Sequence, residues 1–270
     1  MPKAFSVASW NVEHFGNDPS KISSTIKYLA DQKADIVAIY EVASSKVFRP
    51  IVKAMPKYQF HITEGPQTQE ILIGIRYGVS AYVTQKLEFK SGQPSLRPGV
   101  LVTVNKEGKY YSLLFLHLKS LSDPKGFGLR DDMINRALKF RKTLDKVAGG
   151  TGKANYIFLG DLNTMGQEYP YVENIDAEAE IRRLGSRASR RKMRILTKNS
   201  SHTWWNGPSS SYEPGNLDHV VAAKHLKFKP FQGAEVDVRG WPKEATDTKK
   251  GHWISKYSDH ALIYFEVQQL

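Results

Sequence analysis

The sequence has 270 residues, with 39 Lys or Arg against 27 Asp or Glu and a formal charge of +12. At 40% hydrophobic and 11% aromatic residues it holds enough apolar material for a sizeable core, which excludes disordered and fibrous classes. No apolar stretch approaches the roughly 18–20 residues of a membrane span, and with no cysteine a disulfide framework, a thiolate zinc site and a cysteine nucleophile are excluded, so any metal must be held by oxygen or imidazole.

Phe5–Val12 alternates as a strand. Asp18-Pro19 supplies an N-cap and a first-position proline, and Ile22, Ile26 and Leu29 then share one helical face. Asp35–Val42 is an apolar run of strand length, and Ser44–Met55 reads as a helix. Strands follow at Tyr58–Thr63, Glu70–Tyr77, Val79–Phe89, Gly99–Val104 and Tyr110–Leu118, separated by Gly and Pro punctuation. Met133, Ala137, Phe140, Leu144 and Val147 mark a helix that Gly149-Gly150 ends. Tyr156–Leu162 is a buried strand, Asp176–Met193 a strongly charged helix, and Leu217–Ala222 and Ala261–Val267 the last strands. There is no internal repeat. The chain is expected to be one α/β domain over 1–270: a four-layer sandwich of two mixed, mainly antiparallel sheets packed face to face, with helices outside.

The informative feature is the polar residues at the ends of apolar strands. Asn11 ends the first strand, Glu41 the second, His117 ends SLLFLHL, and Asp161 and Asn163 end YIFLGDLN. Asp218 and His219 open NLDHVVA, and Asp259 and His260 open SDHALIYF. Taken singly, each has an ordinary explanation as a satisfied strand-end group or cap. Together, four strand exits and two strand starts converge at one rim if the sheets are mixed. The resulting set of oxygens and imidazoles has the composition of a metal-assisted phosphoryl-transfer site.

In order the motifs are SWNVE (9–13), IYEV (39–42), HLKS (117–120), GDLN (160–163), NLDHV (216–220) and SDH (258–260). This series resembles the endonuclease/exonuclease/phosphatase superfamily, the group of deoxyribonuclease I, over nearly the whole chain. Tyr40 departs from the Gln that many members carry before the Glu. The resemblance implies a divalent ion held by Asn11, Glu41 and Asp259; such oxygen donors suit Mg²⁺, with Mn²⁺ or Ca²⁺ as substitutes. Glu13 matches an acidic position near the metal in some members. Asp161 and Asn163 match the pair that positions and deprotonates the attacking water. His260 matches the histidine on the scissile phosphate and Asp218 its carboxylate partner. His117 matches a second family histidine, Glu70 the carboxylate that orients it, and Arg97 a phosphate-binding arginine.

For the substrate, the net charge favours a polyanion, although mere solubility explains it equally well. Ile181–Lys198 carries eight basic residues, Arg190 and Arg191 among them, and no acid, a density suited to phosphate-backbone contact or to a solvated basic helix. Trp204 and Trp205 are candidates for base stacking or for the core. The expectation is a monomeric nuclease without stable membrane association, acting on nucleic acid, with DNA favoured and an endonuclease the first choice. The alternatives are a phosphatase or phosphodiesterase on small or lipid phosphoesters, and a nucleic-acid-binding protein without catalysis. No signal peptide is visible, which favours the cytoplasm; a secreted protein with its signal removed would look the same.

Overall fold

The first strand of the computed structural model, β1 (Lys3–Phe15), is buried on both sides along most of its length. The structure describes residues 2–65 and 69–269. Asp18 ends the following turn by accepting the Ser20 amide, and α1 (Pro19–Asp31) buries Ile22, Ile26 and Leu29. Then come β2 (Ile36–Val42), α2 (Phe48–Ala54), β3 (Tyr58–Ile62), β4 (Glu70–Arg76), β5 (Ser80–Lys86), β6 (Gly99–Lys106) and β7 (Lys109–His117). The remainder is α3 (Pro124–Val147), β8 (Asn155–Asp161), α4 (Ala177–Arg190), β9 (Met193–Ile195), β10 (Asp218–Ala223), β11 (Asp237–Arg239), α5 (Asp247–Lys256) and β12 (Leu262–Gln268).

These elements form two compact units. The first comprises Met1–Ser80, Thr197–Gly215 and Lys227–Leu270, the second Ala81–Leu196 and Asn216–Leu226. The first holds a six-stranded sheet of order β11-β12-β1-β2-β4-β3, the second one of order β5-β6-β7-β8-β10-β9. The expected α/β class with two mixed, mainly antiparallel sheets is what the chain adopts. Each sheet has a parallel pair at its centre, β1 with β2 and β7 with β8. Each pair has an antiparallel neighbour, β12 on β1 and β10 on β8.

In the second unit one face of the sheet, including Leu114, Leu116, Tyr156, Phe158 and Val221, packs with Met133, Ile134, Ala137 and Leu138 of α3 and Leu184 and Ala188 of α4. The other face, with Leu113, Phe115, Ile157, Leu159 and Val220, is equally buried. In the first unit Trp10 meets Tyr28 of α1 and Trp253 of α5, with ring centroids 5.3 and 6.0 Å apart. Among the described residues no helix is long and apolar enough to cross a membrane.

Several expected boundaries shift for local reasons. Ser44–Met55 is a short 3₁₀ turn at Ser45–Val47 followed by α2; this places Pro50, which has no N–H to donate, in the first turn of the helix. The expected strand at Val79–Phe89 stops at Lys86 and tightens into a 3₁₀ turn at Leu87–Lys90. The charged helix ends at Arg190, because Lys192 turns left-handed at φ 54° and Met193 starts β9. On α3, Val147 is 86% exposed, and two arginines, Arg130 and Arg141, lie on the buried face instead. β9 and β11, at three residues each, are too short to show alternation. Helix α5 buries only Trp253 and Ile254, so no apolar stripe announced it.

Candidate active site

In the first unit the parallel pairing of β1 and β2 sets Asn11 beside Tyr40, one residue before Glu41. A bulge follows: from Asn11 to Phe15 β1 advances four residues while β2 advances two. The extra residues, Glu13 and His14, take positive φ of 27° and 51°, and Glu41 takes 62°. Positive φ is costly for residues with a β-carbon, and bulges re-aim side chains at functional sites.

The Asn11 amide donates from Nδ2 to Glu41 Oε1 at 3.1 Å, while its Oδ1 accepts the Glu13 amide at 3.2 Å. Glu41 Oε2 accepts from the His14 amide at 3.1 Å and from Gln69 Nε2 at 3.2 Å. Because β12 runs antiparallel to β1, its start lies at the same edge. There the Ser258 hydroxyl donates to the Asn11 carbonyl at 2.8 Å and lies 3.3 Å from Asp259 Oδ1. Asp259 Oδ2 accepts the indole N–H of Trp204 at 2.7 Å. His260 is fixed through its backbone, with its amide on Ser258 Oγ at 3.1 Å and its carbonyl on Trp10 Nε1 at 2.8 Å.

The carboxyl of Glu13 is pushed above the ordinary range, first by loss of solvent, then by the charge of Asp259 and also of Glu41, with Lys21 and His14 pulling the other way. Glu13, Glu41 and Asp259 with the amide oxygen of Asn11 offer hard oxygen donors, the chemistry that suits a divalent ion of the Mg²⁺ type.

In the second unit three site residues share one row. His117 on β7 pairs with Asp161 on β8, and Asp161 pairs with Asp218 on β10. Directly opposed residues point to the same face. His117 Nε2 lies 3.6 Å from Asp161 Oδ2. All three are buried, at 4%, 1% and 2% exposure, and two opposed buried carboxylates work against stability. Such groups gather where function requires them.

Asn163, left-handed at φ 50°, returns its amide to Asp161 Oδ1 at 3.0 Å and donates from Nδ2 to the Leu118 carbonyl at 3.2 Å. His219 points to the opposite face from Asp218. Its Nε2 lies 2.8 Å from the Thr164 hydroxyl and 3.0 Å from the Asn216 carbonyl, so it ties the loop after β8 to the start of β10.

The other expected residues fall as follows. Arg97, half-buried, precedes β6; since Val100 pairs with Phe115, it sits at the same edge as His117. Glu70 opens β4, 8% exposed, and accepts from the Thr63 hydroxyl. Trp204 is half-buried on Asp259, whereas Trp205 is buried against Trp241 at 5.8 Å between centroids and is not available for stacking. Arg190 and Arg191 precede β9, which pairs with the far end of β10, at Ala223. They are therefore at the opposite end of the sheet from Asp218, roughly 17 Å away at the rise of a strand. Of the other basic residues, Arg183 and Arg187 pair with Asp131.

One pair was not anticipated. Arg130 of α3 meets both carboxylate oxygens of Glu180, Nε to Oε1 at 2.8 Å and Nη2 to Oε2 at 3.0 Å. It also donates to the carbonyls of Lys119, Leu121 and Gly166 at 3.1, 3.0 and 2.8 Å. It thus holds the loops that leave His117 and Asn163. Gly166 is required there: its φ is 79°, and a β-carbon would lie 2.2 Å from the Ile175 carbonyl. The only trace of Arg130 in the sequence is an arginine on an apolar helical face.

No protein-family model and no curated protein matches the sequence. Solved structures are similar in fold. D. rerio TDP2 in complex with a single-stranded DNA product matches over 98% of this chain and 99% of its own, at 19% identity and a TM-score of 0.67. The human Nocturnin catalytic domain with a bound sulfate matches over 98% and 93%, at 14% identity and a TM-score of 0.64. An endonuclease/exonuclease/phosphatase from Bacteroides vulgatus matches over 98% and 99%, at 11% identity and a TM-score of 0.63.

Proposed function

We propose that this chain, which has the fold of the endonuclease/exonuclease/phosphatase superfamily, is a divalent-metal-dependent phosphodiesterase that hydrolyses nucleic acid, with DNA cleaved internally as the first choice of substrate. One observation carries the reading. In each unit the chemically competent residues sit at the carboxyl ends of a central parallel strand pair, joined by residues from the start of its antiparallel neighbour. The carboxyl ends of parallel strands are where α/β sheets bind ligands.

The roles follow from the chemistry of each group. The Asp161 carboxylate accepts the proton of the attacking water, and Asn163, tied to it by the turn, orients that water. His117, 3.6 Å from the same carboxylate, and His260 donate hydrogen bonds to phosphate oxygens. Asp218 serves as the carboxylate partner that orients the imidazole of His260. Asn11, Glu41 and Asp259 are the groups that hold the ion, with Glu13 beside them. A divalent cation, when bound, supplies charge stabilisation to the phosphate and the leaving oxygen. Glu70 and Arg97 are assigned to orienting the histidine and to the phosphate. General acid–base assistance is worth roughly 10²–10⁴-fold per group.

The net charge of +12 and the likeness to a TDP2 solved with single-stranded DNA support nucleic acid over small phosphoesters. The test is incubation with supercoiled plasmid and Mg²⁺, with and without chelator. Chelator-sensitive nicking, lost in both Asp161→Ala and Glu41→Gln, is expected. Intact plasmid with turnover of a small phosphoester would transfer the function to that class. Retarded migration without cleavage would make the chain a binding protein.

A further inference from the structure

A second arginine lies on the buried face of α3, eleven positions or three turns beyond Arg130. Arg141 is 1% exposed. Its Nε donates to Asp145 Oδ1 at 2.9 Å, but among the described residues its two terminal nitrogens have no hydrogen-bond acceptor. Asp145 Oδ1 also takes the Ala154 amide at 3.0 Å and Oδ2 the Gly152 amide at 2.8 Å. Arg130, by contrast, spends its donors on a carboxylate and three carbonyls. A buried guanidinium with donors unmatched is costly.

Arg141 lines a cleft of about 650 Å³. Lys142, Lys146, Arg190, Arg191 and Lys192 line it too, and among the described residues Asp145 is the one acid on its wall. The charge of Arg141 also reaches His225, whose pKa is held below the ordinary value by burial first and then by this guanidinium, with Asp145 acting the other way. A planar fork with paired N–H donors matches a tetrahedral oxyanion in two-point contact, and lysines add point charges around it. The cleft also includes Gly150 and Thr151, just ahead of β8. Asp161 is at the other end of that strand, about 20 Å away at ~3.3 Å per residue.

We infer that this cleft is a phosphate-binding site, separate from the catalytic rim, in which Arg141 receives the oxyanion and Arg190, Arg191 and Lys192 hold its surroundings. The ligand is a phosphate group, whether inorganic or part of a nucleic-acid backbone. The inference stands on the cleft alone and does not depend on the catalytic reading.

The test titrates inorganic phosphate, with chloride at matched ionic strength as the control and chelator present. The proteins are the wild type, Asp161→Ala, Arg141→Gln and the double variant Arg190→Gln/Lys192→Gln, followed by calorimetry and by thermal melting. Phosphate is expected to bind the wild type and Asp161→Ala alike. Affinity should fall at least about tenfold in the surface double variant and vanish in Arg141→Gln. If Arg141→Gln fails to fold, the double variant decides. Undiminished binding in the double variant, loss of binding in Asp161→Ala alone, or no binding at up to about ten millimolar phosphate overturns the inference. A single-stranded oligonucleotide in the same series separates the sources. Competition by phosphate together with sensitivity to the double variant identifies a nucleic-acid backbone, and indifference of the oligonucleotide identifies a small phosphate.

Discussion

The indole N–H of Trp204 donates to Oδ2 of Asp259 at 2.7 Å, across 55 positions of sequence. Trp204 is held in place by strand-like bridges to Gly215 and His260. One oxygen of a proposed metal ligand is therefore oriented by a tryptophan that sequence alone offers as a base-stacking group.

Trp204→Phe keeps an aromatic face and removes the donor. Groups that orient a ligand typically account for 10–100-fold in metal affinity. The half-saturating Mg²⁺ concentration in the nicking assay should rise within that range, with substrate KM little changed. An increase in KM at constant metal requirement would instead assign Trp204 to stacking.

Asp161→Asn should reduce turnover by about 10²–10⁴-fold and leave the far-UV circular dichroism and the melting transition near wild type. Removing one of two opposed buried carboxylates relieves repulsion with Asp218, so Tm is expected to hold or rise. Substantial residual activity would take Asp161 out of its assigned role.

Arg130→Met leaves Glu180 buried without its partner. Breaking a buried pair in this way costs about 3–5 kcal/mol, measurable by urea unfolding. Arg130→Met/Glu180→Met should recover much of that stability but not activity, because the Lys119, Leu121 and Gly166 carbonyls lose their common donor. Recovery of full activity in the double variant would show that the arginine serves stability alone.

Asp35 accepts from the Ser6 amide, the Ser6 hydroxyl and Lys3, each at 2.8 Å. Burial works against its charge, but these donors outweigh it and hold the carboxyl below the ordinary range. The folded pKa is the lower one. The stabilisation is therefore present above the unfolded value of about 3.9 and is lost as pH falls through the folded value. Asp35→Asn should be less stable than wild type by about 1–3 kcal/mol near neutrality, and the gap should close below about pH 4. A gap that widens on acidification would contradict the assignment.

Arg190→Ala/Arg191→Ala should lower the slope of log affinity against log salt for DNA by about two, one per phosphate contact. Arg183→Ala/Arg187→Ala should change it less, since both side chains are engaged by Asp131. Equal slopes in all three proteins would remove the basic stretch from the interface.

The polar strand ends were legible because an apolar run that stops at Asn, Glu, His or Asp announces both a strand and the polar chemistry at its end. Apolar runs of strand length also placed β2, β7, β8, β10 and β12 to within one residue at each end, whereas β1 starts two residues before and ends three beyond the expected Phe5–Val12. The two arginines on the buried face of α3 were not legible. An arginine among apolar positions reads as solvent-facing until Glu180, 50 positions away, supplies the counter-charge of Arg130 and Asp145, one turn on, that of Arg141.

The sequence by itself determined the class, the order of the motifs and the residue types able to hold an ion and move a proton, because these follow from local periodicity and side-chain chemistry. Tertiary structure alone decided which of them share a face. Strand register set His117, Asp161 and Asp218 in one row, and the β1 bulge turned Glu13 and Glu41 into left-handed conformations. Strand direction also sent Arg190 and Arg191 to the far end of the sheet. Register and direction are fixed by pairings between segments distant along the chain, and no window of sequence contains both partners.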